Sequence, residues 1–276
     1  MSLHIIEKAP PRPAVLTIAG FDPSSGAGVT ADLKVFAAYR LYGLAAITAL
    51  TVQSTQGVRQ SRPARPEFLA DTLNCLADDI EIAGVKIGML ATGDIVSIAA
   101  RFLTERNIPR ERVVLDPILR SSSGSFLLGS AGFARISSQL LPATGWVTPN
   151  IDELAMLTGI DVSGRESMAV AAATLAESQP GLNVVATGGH LDPPDDFLWS
   201  SEGVEHWFAG TKIETTATHG TGCTFSSALL AELVAGAPAV EAVAGAKRYV
   251  RAAMEAAYPV GKGRGPLHHL YRLDEI

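Results

Sequence analysis

The chain has 276 residues, 47% hydrophobic and 18% charged, so it carries enough apolar material for a large core. With 22 basic against 28 acidic side chains, a formal net charge of −6 and no Lys/Arg block, nucleic acid and anionic membrane are excluded as principal partners. Two cysteines, Cys75 and Cys223, lie far apart with no C-x-x-C pattern, so no disulfide framework is expected and the chain reads as a soluble cytoplasmic protein.

Residues 1–13 carry charges and prolines in place of an apolar signal core and read as a lead-in; residues 14–276 read as one domain. Val15–Ala19 is a buried strand, followed by a Gly/Ser loop and a helix over Val29–Tyr39. Ala46–Val52 is a second strand. The spacing of Phe68, Leu69, Thr72, Leu76 and Ile80 predicts a helix over Glu67–Ile80, with Cys75 as a packing residue inside it. Then come the strand Val85–Met89, the helix Asp94–Glu105, the strand Arg112–Asp116 and a helix near Ser130–Leu141. Trp146–Thr148 and Asn183–Thr187 are strands on either side of helices at Asp152–Thr158 and Ser167–Ser178. Phe197–Ser200 and Val204–Phe208 form a hairpin, and the helices Cys223–Ala235 and Ala239–Ala257 precede a Gly-rich tail. Apolar strands alternating with helices predict a mostly parallel sheet covered on both faces.

Ligands of such sheets bind beyond the carboxyl ends of the strands, which makes the loops after each strand the ones to read. There is no G-x-x-x-x-G-K-[ST], and Gly20–Gly28 does not have the G-x-G-x-x-G spacing. Asp32 falls early in the first helix, where its carboxylate can face a ligand or simply favour the helix N-terminus. Asp116 ends an apolar strand, oddly placed for a core and well placed for a cation. Asn150 and Glu153, at i and i+3, suit either a hydrated Mg²⁺ beside phosphates or a capping box. Thr187-Gly-Gly-His190 is a tight strand exit near which phosphates can lie; His190, His268 and His269 read as structural. His219–Ser227 is the most informative stretch. Gly220, Thr221 and Gly222 place unblocked amides at a helix N-terminus, and Cys223 lies in the first turn, where a thiol pKa tends to fall. It is either a phosphate cradle or a Gly-rich turn capping a core helix.

Taken together, Thr17–Gly28, Ala31–Lys34, Lys86–Leu90, Leu115–Pro117, Thr148–Asn150 with Glu153, Gly188–Leu191 and His219–Thr224 resemble the hydroxymethylpyrimidine kinase/phosphomethylpyrimidine kinase family of thiamine biosynthesis. The tail Gly261–His269 looks like the family's tail, so the similarity runs from about Ala14 to His269. The resemblance implies a ribokinase-like three-layer α/β/α sandwich and ATP-dependent phosphorylation of 4-amino-5-hydroxymethyl-2-methylpyrimidine, then of its monophosphate. It implies that Gly20, Asp32, Gln53, Met89 and Ile118 line the pyrimidine pocket, and that Gly220, Thr221 and Gly222 form the anion hole. Cys223 then faces the hydroxymethyl group as base or alignment residue. Asp116 and Glu153 map to the Mg²⁺ network, and Asn150, Thr187 and Gly189 to the ATP phosphates. The partners implied are ATP, the small pyrimidine and a second copy in a homodimer.

Five positions depart from the family pattern. Phe21 and Ser25 replace small residues in the first loop. Ser122 and Ser125 stand where many members carry lysine and aspartate, and Thr187 replaces a lysine. The threonine is similar to certain vitamin B6 kinases of this branch, which makes pyridoxine the alternative substrate; Gln53 favours pyrimidine. A catalytically dead binding homologue is the non-enzymatic alternative, opposed by the presence of Asp116, Glu153, Gly222 and Cys223.

Overall fold

A computed structural model describes residues 11–119 and 128–274. It contains one nine-stranded sheet in the order β3-β2-β1-β4-β5-β6-β7-β8-β9. The strands are β1 (Ala14–Phe21), β2 (Tyr42–Ser54), β3 (Gly57–Pro63), β4 (Ile82–Ile87), β5 (Val113–Leu115), β6 (Trp146–Val147), β7 (Asn183–Ala186), β8 (Asp196–Trp199) and β9 (Glu205–Phe208). β2, β1, β4, β5, β6 and β7 are mutually parallel, whereas β3 and the β8–β9 hairpin are antiparallel additions at the two edges.

Strand alternation divides the core into two layers. Leu16, Ile18, Val85, Ile87, Val113 and Leu115 pack against helices α2 (Pro66–Asp79), α3 (Gly93–Glu105), α5 (Ile151–Thr158) and α6 (Arg165–Ser178). Their strand neighbours Val15, Val114 and Val185 face the opposite way, against α1 (Gly28–Ala38), α7 (Thr221–Val234) and α8 (Ala239–Glu255). Burial on both faces is why these strands read as unbroken apolar runs. The expected three-layer α/β/α sandwich with a mostly parallel sheet is what forms.

Local departures have physical reasons. The segment read as a loop from Gln53 continues β2 to Ser54 and turns into β3, whose Gly-Val-Arg-Gln-Ser-Arg-Pro sequence lacks the apolar signature of a core strand because it is a polar edge. The helix expected over Ser130–Leu141 is α4 (Ser130–Arg135) followed by a π turn over Ile136–Leu140 and a 3₁₀ turn at Leu141–Ala143, where Pro142 withholds an N–H. In α2 the buried residues are Leu69 and Leu73; Phe68 is 62% exposed, and Cys75 is exposed, not packed as expected.

Candidate active site

The chain leaves β1 first toward β2 on one side and later toward β4 on the other, so a crevice opens at the carboxyl ends of β1 and β4. The loop leaving β1 is organised by Asp22. Its Oδ1 accepts from the Ser24 amide (2.8 Å) and hydroxyl (2.7 Å), and its Oδ2 accepts from the amides of Gly26 (3.2 Å) and Ala27 (3.0 Å). His219 Nε2 adds a third contact to Oδ2 at 2.7 Å. Burial pushes this carboxyl up, but hydrogen bonds from His219 and Ser24 outweigh it and hold Asp22 below its ordinary value. Ser25, one of the departures from the family pattern, sits at φ +61°, the left-handed region where glycine is at ease.

This loop interlocks with the start of α7. Gly220, the residue before the helix, has φ +86°, and a Cβ there would lie 1.9 Å from the Gly26 carbonyl oxygen, so only glycine fits. No side chain caps α7, which leaves its first amides free to meet an anion. Gly222 faces the Asp116 carboxylate: a Cβ there would be 3.8 Å and 3.9 Å from its two oxygens. Asp116 Oδ2 accepts from the Ser226 hydroxyl at 3.3 Å.

Cys223 is 6% exposed. Burial pushes its thiol up to about 12, the Lys86 ammonium opposes this, and Asp116 and Asp32 reinforce it. The lowered thiol expected at a helix N-terminus is therefore reversed: desolvation outweighs the helix dipole here.

Asp32 also departs from expectation. It is fully buried, its carboxylate 3.0 Å and 3.1 Å from Lys86 Nζ, and it accepts from Thr17 Oγ1 (2.6 Å) and Ser227 Oγ (2.8 Å). Four elements, β1, α1, β4 and α7, meet on this one side chain. A buried carboxylate needs a countercharge and full hydrogen bonding, and both come from within the protein rather than from a ligand. Lys86, which carries no role in the sequence motifs, signals itself only as a lysine inside the apolar run Val85–Ile87.

Gly20, Met89, Ile118 and Gln53 gather around the same crevice. A Cβ on Gly20 would lie 3.3 Å from Met89 Sδ, and one on Gly88 would lie 3.7 Å from Ile118 Cδ1. The Gln53 amide lies 3.1 Å from His219 Nε2, the ring that also meets Asp22.

On the opposite flank, Asn150 accepts from the Glu153 amide at 2.9 Å and Glu153 Oε2 accepts from the Asn150 amide at 3.0 Å, a complete capping box at the start of α5. Glu153 is 7% exposed, and burial first, then the charge of Asp116, pushes its carboxyl up to about 8. Burial likewise raises Asp116, with Lys86 opposing. Both carboxyls of this flank are thus raised by burial, Glu153 also by the charge of Asp116 and Asp116 also by that of Asp32. Among the described residues no three His, Cys, Asp or Glu side chains form a metal cluster. Two carboxylates of this kind fit a Mg²⁺ that keeps most of its waters. Thr187 joins this flank through its amide, which donates to the Pro149 carbonyl at 2.9 Å, while Gly189 is exposed with open space above it. His190 is exposed, 3.8 Å from Asp152. Ser122 and Ser125 lie outside the described residues.

A cavity of about 340 Å³ lined by Leu103, Thr104, Asn107, Ile108, Arg110 and Ala143 lies before β5 and β6, at the opposite end of the sheet, and takes no part in this site.

The doubly covered, mostly parallel sheet that carries this site is a fold shared with solved vitamin kinases. An ADP complex of Bacillus subtilis pyridoxal kinase superposes with a TM-score of 0.85 at 32% identity, covering 95% of this chain and 100% of that one. Phosphomethylpyrimidine kinase from Clostridium difficile 630 gives a TM-score of 0.77 at 32% identity, over 88% and 99%. The class is thus a small-molecule kinase of ribokinase-like fold, a phosphotransferase. A hydroxymethylpyrimidine/phosphomethylpyrimidine kinase of Streptomyces coelicolor is 36% identical over 95% of this chain and 96% of its own length. The thiamine biosynthesis bifunctional protein of Geobacter sulfurreducens is 41% identical over the whole chain, which spans 56% of that longer protein. The family profile described as phosphomethylpyrimidine kinase matches residues 22–268, and this chain belongs to that family.

Proposed function

We propose that this chain transfers the γ-phosphate of ATP to the hydroxymethyl oxygen of 4-amino-5-hydroxymethyl-2-methylpyrimidine, and then phosphorylates the monophosphate to the diphosphate, in thiamine biosynthesis. The observation that carries this reading is the uncapped N-terminus of α7 in the crevice, with Asp116 against Gly222 and Gln53 reached through His219. Phosphoryl transfer needs positioning and charge stabilisation more than covalent chemistry. The amides of Gly220, Thr221 and Gly222 take up the charge that develops on the transferred group. Gln53 reads the aminopyrimidine edge, since an amide offers a donor and an acceptor side by side. Gly20, Met89 and Ile118 form the apolar walls, and Asp32 supports the pocket from beneath through Lys86. Asn150, Thr187 and Gly189 take the ATP phosphates. Asp116 and Glu153 would hold Mg²⁺ largely through water, and the ion would supply positive charge to the phosphate oxygens. Cys223, a buried thiol, aligns the hydroxymethyl group.

The similarity to solved pyridoxal kinases keeps pyridoxine as the second reading. The experiment is incubation with Mg-ATP and the pyrimidine alcohol or its monophosphate, following ADP release and product. ADP release dependent on the alcohol, and diphosphate formed from monophosphate, are expected. Monophosphate left unchanged would remove the second step, and no alcohol-dependent turnover would overturn the proposal.

The same proposal treats the chain from residue 14 onward as one kinase domain acting in the cytoplasm; no helix among the described residues is long and apolar enough to cross a membrane. It also takes the enzyme as a homodimer, supported by Ile47, Leu50 and Val52, exposed by 37%, 57% and 55% on β2.

A further inference from the structure

Gln53 lies within a chain of hydrogen bonds whose polarity is fixed at both ends by groups that only accept. At one end the Thr51 hydroxyl donates to the Phe21 carbonyl oxygen at 2.9 Å. A hydroxyl has one hydrogen; with it on the shorter contact to Phe21, only lone pairs remain for the Gln53 amide, whose Oε1 at 3.2 Å is the competing acceptor. At the other end the Asp22 carboxylate, already accepting from Ser24, Gly26 and Ala27, meets His219 Nε2 at 2.7 Å, so that nitrogen carries the ring hydrogen. The same nitrogen lies 3.1 Å from Gln53 Nε2, so its one N–H is shared between the carboxylate and the amide. The oxygen and nitrogen of an amide are told apart only by such partners. With the nitrogen toward His219, two donors would face each other. The placement with Oε1 against Thr51 and Nε2 against His219 is therefore turned over in the consistent arrangement, which puts the Gln53 oxygen against His219 and its NH₂ against Thr51.

Both flanks of the amide are then engaged. Its forward edge keeps one N–H beside one oxygen lone pair. That edge matches a ring nitrogen next to an exocyclic amine and opposes a ring N–H next to a carbonyl. Were the amide free to turn over, it would accept either. The His219 ring is itself fixed: a Cβ on Gly26 would come within 2.3 Å of its Cδ2, and its backbone amide donates to the Gly265 carbonyl at 3.1 Å.

We propose that Thr51, His219 and Asp22 are positioning residues that lock the Gln53 amide in one orientation, and so select amino-substituted over oxo-substituted pyrimidine alcohols. The proposal rests on Gln53 reading the pyrimidine edge, as set out above. The test compares kcat/KM for 4-amino-5-hydroxymethyl-2-methylpyrimidine and its 4-oxo analogue in the wild type, Thr51→Val, Thr51→Ser, His219→Phe and Gln53→Leu. The wild type should favour the amine by about 10²-fold or more, as sites built around paired hydrogen bonds do. Thr51→Val and His219→Phe should each shrink that ratio by about three- to tenfold through KM, the worth of one neutral hydrogen bond, with kcat on the amine nearly unchanged. Thr51→Ser, which restores the hydroxyl, should restore the ratio. A merely structural role would lower both substrates alike and leave the ratio where it was. A ratio abolished in Gln53→Leu but intact in Thr51→Val and His219→Phe overturns the lock while Gln53 keeps its role. A ratio intact in Gln53→Leu overturns both. If His219→Phe does not fold, the Thr51 pair decides alone.

Discussion

At Cys223 two effects oppose each other: the helix N-terminus and Lys86 favour a thiolate, and burial among Asp116 and Asp32 favours the thiol. Burial wins, and in the function proposed above the side chain positions the substrate hydroxyl without taking its proton. Cys223→Ala should therefore lower kcat by less than about tenfold, with the larger effect on KM, whereas loss of a true general base costs about 10²–10⁴. Steady-state kinetics on the purified variant, with its thermal melt as a control for folding, separates the two. Asp32 teaches a related lesson. Its position early in a helix was legible, but its partner Lys86 lies 54 residues away, and only the fold shows that the pair is closed off from a ligand. The same distance in sequence hid the contacts of Asp22 with His219, 197 residues apart.

At the scale of elements, the start of α5 serves two purposes with one pair of side chains. The Asn150–Glu153 capping box explains why the helix begins there, and burial, reinforced by the charge of Asp116, explains why the Glu153 carboxyl is raised. Glu153→Gln separates the two, because glutamine also completes a capping box but brings no charge. The melting temperature should hold within about 4 °C, equivalent to roughly 1 kcal/mol in a chain of this size. The Mg²⁺ concentration for half-maximal activity should rise by about 10–100-fold, as for lost support of a bound metal. A fall in stability with unchanged Mg²⁺ dependence would leave Glu153 a capping residue only. Elements whose faces are both buried were legible from apolar runs, as β1, β4 and β7 illustrate. β3 was not, since an edge strand exposes polar side chains and gives no period to read. In α2 the helical spacing was right but the face was misjudged, because Phe68 and Leu69 are adjacent and only one of them can point inward.

For the molecule as a whole, apolar strands alternating with helices were enough to anticipate the sheet, its two helical layers and a site at the carboxyl ends of the strands, whereas the strand order that puts the crevice between β1 and β4 was not legible. Nor was it legible how the loops touch: the packing of Gly220 on Gly26 and the chain from Asp22 through His219 to Gln53 exist only once distant segments meet. The expectation of a dimer comes from the family resemblance, and the exposed apolar residues of β2 support it, so light scattering should give a mass near twice the 28.9 kDa of one chain, and a single-chain mass would refute it. The most direct test of the central claim is kcat/KM for the pyrimidine alcohol and for pyridoxine, measured side by side with Mg-ATP. An amide that hydrogen-bonds the aminopyrimidine edge should give a preference for that substrate of at least about tenfold. A preference for pyridoxine would contradict it.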